Sequence, residues 1–308
     1  MTENRKRRIC DYEGSAYRTE FWGAGRDYED GAERAALQRL LPPSGHRLID
    51  IGGGYGRLLP LYSQYDEVVI FDYALSQLRQ GQALWGAQIP DGGPGIRYVA
   101  GNFYNLPFAA GVFDTVTMVR TLHHATDAPS VLRGIAEILT PRGTLVMEFA
   151  NKRNLKAMLR YGLGRQAWSP FEREPVEFVE LNFDFHPGWV EEHLRRVGLV
   201  VRERRAVSTF RVGFLKRVVP TGMLVALDRL CQPLGEVAPV SPSVFVRCGA
   251  EADGARDAAD AFFRCTTCRS TAMEEHEDGV VCQQCAARFA LRDGVYDFRR
   301  PASPAAQE

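Results

Sequence analysis

Two groups of residues in this 308-residue chain have the types and the spacing to do chemistry. The first is LIDIGGGYGRLL at 48–59, where apolar residues flank Asp50, glycines follow at Gly52, Gly53, Gly54 and Gly56, and 57–61 can open a helix. Glycines at a strand-to-helix turn allow positive φ and a close backbone approach to a ligand, and free N–H groups at a helix start favour electron-rich atoms. That arrangement suits a nucleotide-like cofactor, although an ordinary glycine turn reads the same way in isolation. A dinucleotide fingerprint starting at Gly52 needs a glycine at 57, and Arg57 stands there, so the NAD reading fails. The second group is Cys265, Cys268, Cys282 and Cys285, two CxxC pairs thirteen residues apart. Each pair offers two thiolates, and together they complete a tetrahedral shell for one structural zinc. A disulfide framework is the alternative, and the cytoplasmic setting expected below argues against it. Cys10, Cys231 and Cys248 have no partner at ligand spacing and read as ordinary thiols.

The elements that must position the first group alternate strand and helix. Residues 67–71 (EVVIF) read as a second buried strand ending at Asp72, sixteen residues after Gly56, where a carboxylate can accept from both ribose hydroxyls. A helix over 74–85 follows, then a strand at 97–100 leading to GNFYNLPF at 101–108. A fourth strand at 113–119 runs into Arg120, Thr121, Leu122, His123 and His124, and Asp127 and Pro129 open a helix that ends near 140–143. Residues 144–149 form strand five, 187–197 a helix, 199–207 strand six and 243–248 strand seven. Such alternation implies a parallel sheet with its ligand beyond the carboxyl ends of the strands, where Asp50, Asp72, Asn102 and Arg120 all fall.

Asp50, Gly52, Gly54 and Gly56 resemble the first motif of class I S-adenosylmethionine-dependent methyltransferases. GNFYNLPF, the His123–His124 pair and ILTPRG at 138–143 are similar to the group that includes the quinone-biosynthesis methyltransferases, over roughly residues 10 to 250. The resemblance implies an α/β fold: a Rossmann-like seven-stranded sheet whose seventh strand is antiparallel, followed by a small C-terminal zinc-ribbon domain. It also implies an N-terminal lid, with Tyr17 and Trp22 as candidates, and an adenine contact at Asn102, where many relatives have Asp. An Asn amide oxygen can accept that bond without charge, and Phe103 can lie against the ring. The sequence after the second CxxC, ARFALRDGVYDFRRP, is similar to the small zinc-ribbon activators that accompany tRNA, rRNA and release-factor methyltransferases.

Methyl transfer from a sulfonium is an in-line displacement, so alignment supplies most of the rate and an oxygen or nitrogen acceptor must lose a proton. His124, His186 and Glu148, each at a strand or helix end, are the candidate bases, although each also suits a plain structural role.

Composition bounds the rest. Hydrophobic residues make up 45% and charged residues 25%, as expected of a globular protein. The longest nearly apolar run, 218–227, is broken by Pro220, Thr221 and Gly222 and is too short for a bilayer, so a cytoplasmic protein is expected. We expect a methyltransferase domain over 1–250 with insertions at 151–186 and 208–242, a linker at 251–261, a ribbon at 262–300 and a tail at 301–308. The insertions are aromatic and aliphatic enough to line an acceptor pocket or to pack a lid. Residues 151–217 hold fourteen Lys and Arg against eight Asp and Glu, a surplus of about six in a chain of zero formal net charge. That surplus reads as a solvated face or as an attraction for anionic substrate, nucleic acid or lipid headgroups. A neutral chain is a poor nucleic-acid binder, and the apolar insertions favour a small or lipid-like methyl acceptor, with an RNA or protein methyltransferase as the alternative that the ribbon and the basic segment suggest. A module that binds the cofactor without turnover is a further alternative.

Overall fold

The computed structural model describes residues 7–23, 25–86, 88, 93–251 and 261–302. Its strands are β1 (Gly45–Ile51), β2 (Tyr65–Asp72), β3 (Gly95–Ala100), β4 (Phe113–Met118), β5 (Leu139–Ala150), β6 (Val176–Val179), β7 (Asn182–Asp184), β8 (Leu199–Val207), β9 (Ser243–Ala250), β10 (Met273–His276), β11 (Gly279–Cys282), β12 (Arg288–Arg292) and β13 (Val295–Ala302). The α-helices are α1 (Asp27–Leu40), α2 (Leu75–Trp85), α3 (Ala128–Ile138), α4 (Leu155–Gly162), α5 (Pro187–Arg196), α6 (Gly213–Val218) and α7 (Thr221–Cys231).

Seven strands run in the order β3-β2-β1-β4-β5-β9-β8, and β9 is antiparallel to both neighbours, as the resemblance implies for the seventh strand. Side-chain alternation divides the central strands between two cores. Ile49, Ile51, Val69 and Phe71 pack on the face that carries α3 and α5, while Leu48, Val68 and Ile70 pack with α1 and α2. A sheet covered on both faces explains why β1 and β2 read as nearly continuous apolar runs. Helix α3 begins where its signals stand: Asp127 accepts from the Ser130 N–H, proline sits in the first turn, and Val131, Leu132, Ile135 and Ile138 are buried.

One local expectation fails. The helix expected from Arg57 is only a 3-10 turn, Leu59–Leu61, because Pro60 lacks an N–H and β2 begins at Tyr65, leaving no room for further turns. Helix α3 ends at Ile138, just before the expected stop, and residues 140–143 belong to β5, where Arg142 takes a positive φ of 65°.

The ribbon does not stand apart. Strand β13 pairs parallel with the edge strand β3, setting Val295 against Tyr98, Tyr296 against Val99 and Asp297 against Ala100, so β10 to β13 extend the sheet to eleven strands. Phe263, Phe289 and Phe298 of the ribbon share a core with Phe71, Phe108 and Phe113. The two insertions leave the sheet's carboxyl edge after β5 and β8. They are tied together there, since the Leu155 N–H donates to the Val240 carbonyl at 2.8 Å and Asn151 Nδ2 donates to the Pro239 carbonyl at 2.7 Å.

Candidate active site

The glycine turn is pinned to the end of β2. The N–H groups of Gly52 and Gly53 donate to the Phe71 carbonyl at 2.8 and 3.1 Å, and the Gly54 N–H donates to Asp72 Oδ2 at 2.9 Å. Gly52 and Gly54 hold φ values of 75° and 54°. A Cβ on Gly52 would run into the Thr121 side chain, so both the conformation and the packing demand glycine at that position. Asp72 Oδ1 takes a further N–H from Ala74 at 2.9 Å. Burial raises its pKa, and these backbone donors oppose that rise. Two N–H groups leave a carboxylate with acceptor directions to spare. Asp50 is also buried; the Thr117 hydroxyl donates to it at 2.8 Å, and burial pushes its pKa up to about 6.

Above this floor lies one pocket. Its walls include Asp50, Gly52, Gly54, Asp72, Phe103, Arg120 and His124, all expected from the sequence, and Cys10, Tyr12, Phe21 and Trp22 close it from the N-terminal side. Trp22 lies where a lid was expected. Tyr17 begins a π-helical turn, Tyr17–Trp22, but its side chain lies outside the described residues.

The pocket's charged wall is built on Glu33. This carboxylate, 1% exposed, receives Arg57 Nη2 at 2.8 Å and Arg120 Nε at 2.6 Å. The Arg57 guanidinium lies 3.8 Å from the centre of the Trp22 ring, so the same network supports the lid. Arg120 has a positive φ of 56°, and its N–H donates to Glu148 Oε2 at 3.0 Å.

His123 and His124 complete the wall. Burial holds both imidazoles below their ordinary range, with the charges of His124 and Arg120 adding to the effect on His123. His124 Nδ1 lies 2.8 Å from the Leu181 carbonyl, which can only accept, so that nitrogen carries the proton. Its Nε2 is then the acceptor for the Tyr12 hydroxyl at 3.1 Å. The result is a neutral base whose accepting nitrogen is joined to a phenol in the pocket wall.

Four expected residues lie off the pocket wall. Gly56 completes the turn at φ 75° behind the wall, beside Trp85. Asn102 turns its Oδ1 to the Tyr104 N–H at 2.9 Å in a local turn. Glu148 is buried behind Arg120 and accepts from Ser243 Oγ at 2.7 Å, so it holds the end of β4 rather than facing the cavity. His186 caps α5, its Nδ1 accepting from the Gly188 N–H at 3.1 Å. Sequence reasoning missed Glu33 and Arg57, whose pairing is long-range and leaves no local signal. It also passed over Tyr12, Phe21 and His123, although their aromatic and histidine clusters were visible.

The four CxxC thiols converge within 4.8 Å of one another, with Cys265 and Cys285 Sγ at 3.6 Å and Cys268 and Cys282 Sγ at 3.5 Å. A zinc held at about 2.3 Å from each sulfur puts the sulfurs about 3.8 Å apart, so the donor set fits that ion.

Known proteins agree with this geometry. Residues 49–147 match the family described as a methyltransferase domain. Over 113 residues the chain is 34% identical to the ubiquinone/menaquinone biosynthesis C-methyltransferases UbiE of Vibrio parahaemolyticus and Yersinia enterocolitica, which covers 34% of this chain and 42% and 43% of theirs. The chain thus spans less than half the length of these relatives. Among solved structures, one similar fold is a chain of the complex between the Haloferax volcanii Trm112 methyltransferase activator and a methyltransferase, with TM-score 0.53, 17% identity, and coverage of 77% of this chain and 96% of that one. Another is an S-adenosylmethionine-dependent methyltransferase of Thermotoga maritima, with TM-score 0.52, 19% identity, and coverage of 78% and 98%. Residues 49–147 of this chain therefore match a methyltransferase domain, and the chain folds on the Rossmann-like sheet that these solved methyltransferases share.

Proposed function

We propose that the chain transfers a methyl group from S-adenosylmethionine to an oxygen, nitrogen or carbon acceptor on a small, lipid-like metabolite. The observation that carries this reading is the pocket in which the Asp72 carboxylate, fixed by the glycine turn, shares the wall with the neutral His124. When bound, the cofactor supplies an electrophilic methyl group. Asp72 accepts from its ribose hydroxyls, Phe103 packs against its adenine, and the open backbone at Gly52 to Gly54 admits its remaining atoms. His124 takes the acceptor's proton, relayed through the Tyr12 hydroxyl to Nε2, and the lid residues Phe21 and Trp22 exclude water. The acceptor class rests on the apolar insertions at the sheet's carboxyl edge, of which Asn182 lines the pocket, and on the relatives that act in quinone biosynthesis.

The ribbon over 262–300 is proposed to hold one structural zinc on Cys265, Cys268, Cys282 and Cys285, leaving no open coordination position for chemistry. Among the described residues no helix is long and apolar enough to cross a membrane, and a cytoplasmic location is part of the same proposal.

Incubating the protein with cell extract and methyl-labelled cofactor tests the acceptor. Label should appear in an organic-soluble product and not in RNA. The ribbon's place on β3 supports a second reading, an RNA or protein methyltransferase with a built-in activator. Label in RNA that falls steeply with salt would favour it. Tight cofactor binding with no label in any fraction would point to a module without turnover.

A further inference from the structure

Every large apolar side chain strongly exposed among the described residues lies within 155–179 or 212–237, inside the two insertions. None lies on the sheet, on α1 to α3 or on the ribbon. Helix α7 buries Leu224 and Asp228 and turns Met223, Leu227 and Leu230 outward at i, i+4 and i+7, with Leu230 76% exposed. Helix α4 buries only Ala157 and leaves Leu155 and Leu159 outside, and Phe214 of α6 is 69% exposed. A helix packed on its own domain would normally show the reverse pattern.

Charge selects the occupant of this face. Residues 151–171 contain five Lys and Arg and no acid before Glu172, Glu174, Glu177 and Glu180 follow. Residues 208–227 contain three and no acid, of which Arg211 and Lys216 pair with Glu29 and Arg217 stays exposed. Arg153, Lys156, Arg160, Arg165 and Arg217 are exposed. A second copy of the chain seated on this face would set cation against cation. A surface of anionic lipid headgroups over acyl chains complements both components, because basic side chains reach the headgroups while the leucines enter the apolar boundary.

Position adds a reason. Both insertions rise from the carboxyl edge of the sheet, the edge that holds the pocket, and Asn182 of the first insertion is itself in the pocket wall. We infer that α4, α6 and α7 form a docking face for an anionic bilayer, from which the enzyme draws a membrane-dissolved acceptor. The choice of acceptor rests on the proposed methyl-transfer reading, whereas the docking face does not.

Co-sedimentation of the full chain with phosphatidylglycerol/phosphatidylcholine vesicles, with pure phosphatidylcholine vesicles as the comparison, tests docking without any turnover. Binding should be confined to the anionic vesicles and weaken with salt. Each cation near such a surface is worth about fivefold in partitioning, so the Lys156→Glu/Arg160→Glu variant should bind at least about twentyfold more weakly. Leu159→Glu/Leu230→Glu should also lose binding, with unchanged cofactor affinity showing that both variants are folded. No vesicle binding, equal binding to both lipids, undiminished binding by the variants, or a dimer whose contact these leucines form would overturn the inference. Loss of docking with labelled product intact would leave the methyl-transfer reading standing.

Discussion

At the scale of single residues, Glu33 organises the charged wall of the pocket. One buried carboxylate joins Arg120 to Arg57, which Asp30 also pairs, so Glu33→Ala removes the counter-charge that the two neighbouring cations share. Breaking a buried pair typically costs about 3–5 kcal/mol, and urea unfolding should show a loss of that size. Asp72→Ala should weaken S-adenosylmethionine binding by about 1–3 kcal/mol in calorimetry, the worth of one or two hydrogen bonds to a charged group. Equal affinity would remove Asp72 from the site. The pH dependence follows from the directions of the shifts. His124 is held below its ordinary value by burial, so it stays an unprotonated base down to a lower pH than a solvated histidine. The acid limb of the rate profile should therefore lie below about 6.5. His124→Asn should slow turnover by about 10²–10⁴-fold with cofactor affinity kept. Asp50 works in the opposite sense on stability. Its folded value, about 6, is above the unfolded one, so the folded state holds the proton longer, and this group's contribution to stability is lost as pH rises from about 4 through 6. In Asp50→Asn that slope in unfolding free energy against pH should disappear.

At the scale of elements, two buried carboxylates anchor the second insertion to α1: Glu29, which pairs with Lys216 and Arg211, and Asp228. Asp228 of α7 accepts from the Tyr28 hydroxyl at 2.9 Å and from the Thr209 N–H at 2.8 Å, joining α7 to α1. Asp228→Ala strands those donors in the interior and should destabilise the protein by about 3 kcal/mol in thermal or urea unfolding, whereas exposed Arg229→Ala should stay within about 0.5 kcal/mol. The strands and α3 were legible because apolar runs, caps and stop signals are local. The helix after the glycine turn was misread because Pro60 and the short distance to β2 outweigh a helical pattern of residue types. Asn102 shows a local effect of the same kind: a short amide beside a turn accepts from the nearest backbone N–H, here that of Tyr104.

At the scale of the whole molecule, ribbon and sheet are one structure. Edge strand β3 would otherwise present unpaired N–H and carbonyl groups, and β13 covers them. A ribbon of this size has too little apolar core to fold alone, so the four thiols and the shared aromatic cluster must both contribute. Chelation of the metal, or Cys282→Ser, should therefore increase hydrogen exchange in β10 to β13 and also in β3. Cofactor affinity should fall only modestly, through the loop from β3 to Phe103. Exchange confined to the ribbon would show that the shared core does not couple the two parts.

From residue types and spacing alone, the chain specifies its glycine turn, its alternating strands and helices, the acidic tip of β2 and the four-thiol cluster. Each of these is written within a few consecutive residues, where backbone geometry and ligand spacing act directly. Tertiary structure decided which of the candidate bases face the pocket. His124 is brought there by the end of β4, while His186 is taken up by a helix cap and Glu148 by the Arg120 backbone. It also decided that Tyr12 meets His124, that Glu33 joins two distant arginines and that the ribbon closes its own sheet edge. Those contacts link positions more than twenty residues apart in the chain, and only the packing of the folded core sets their distances.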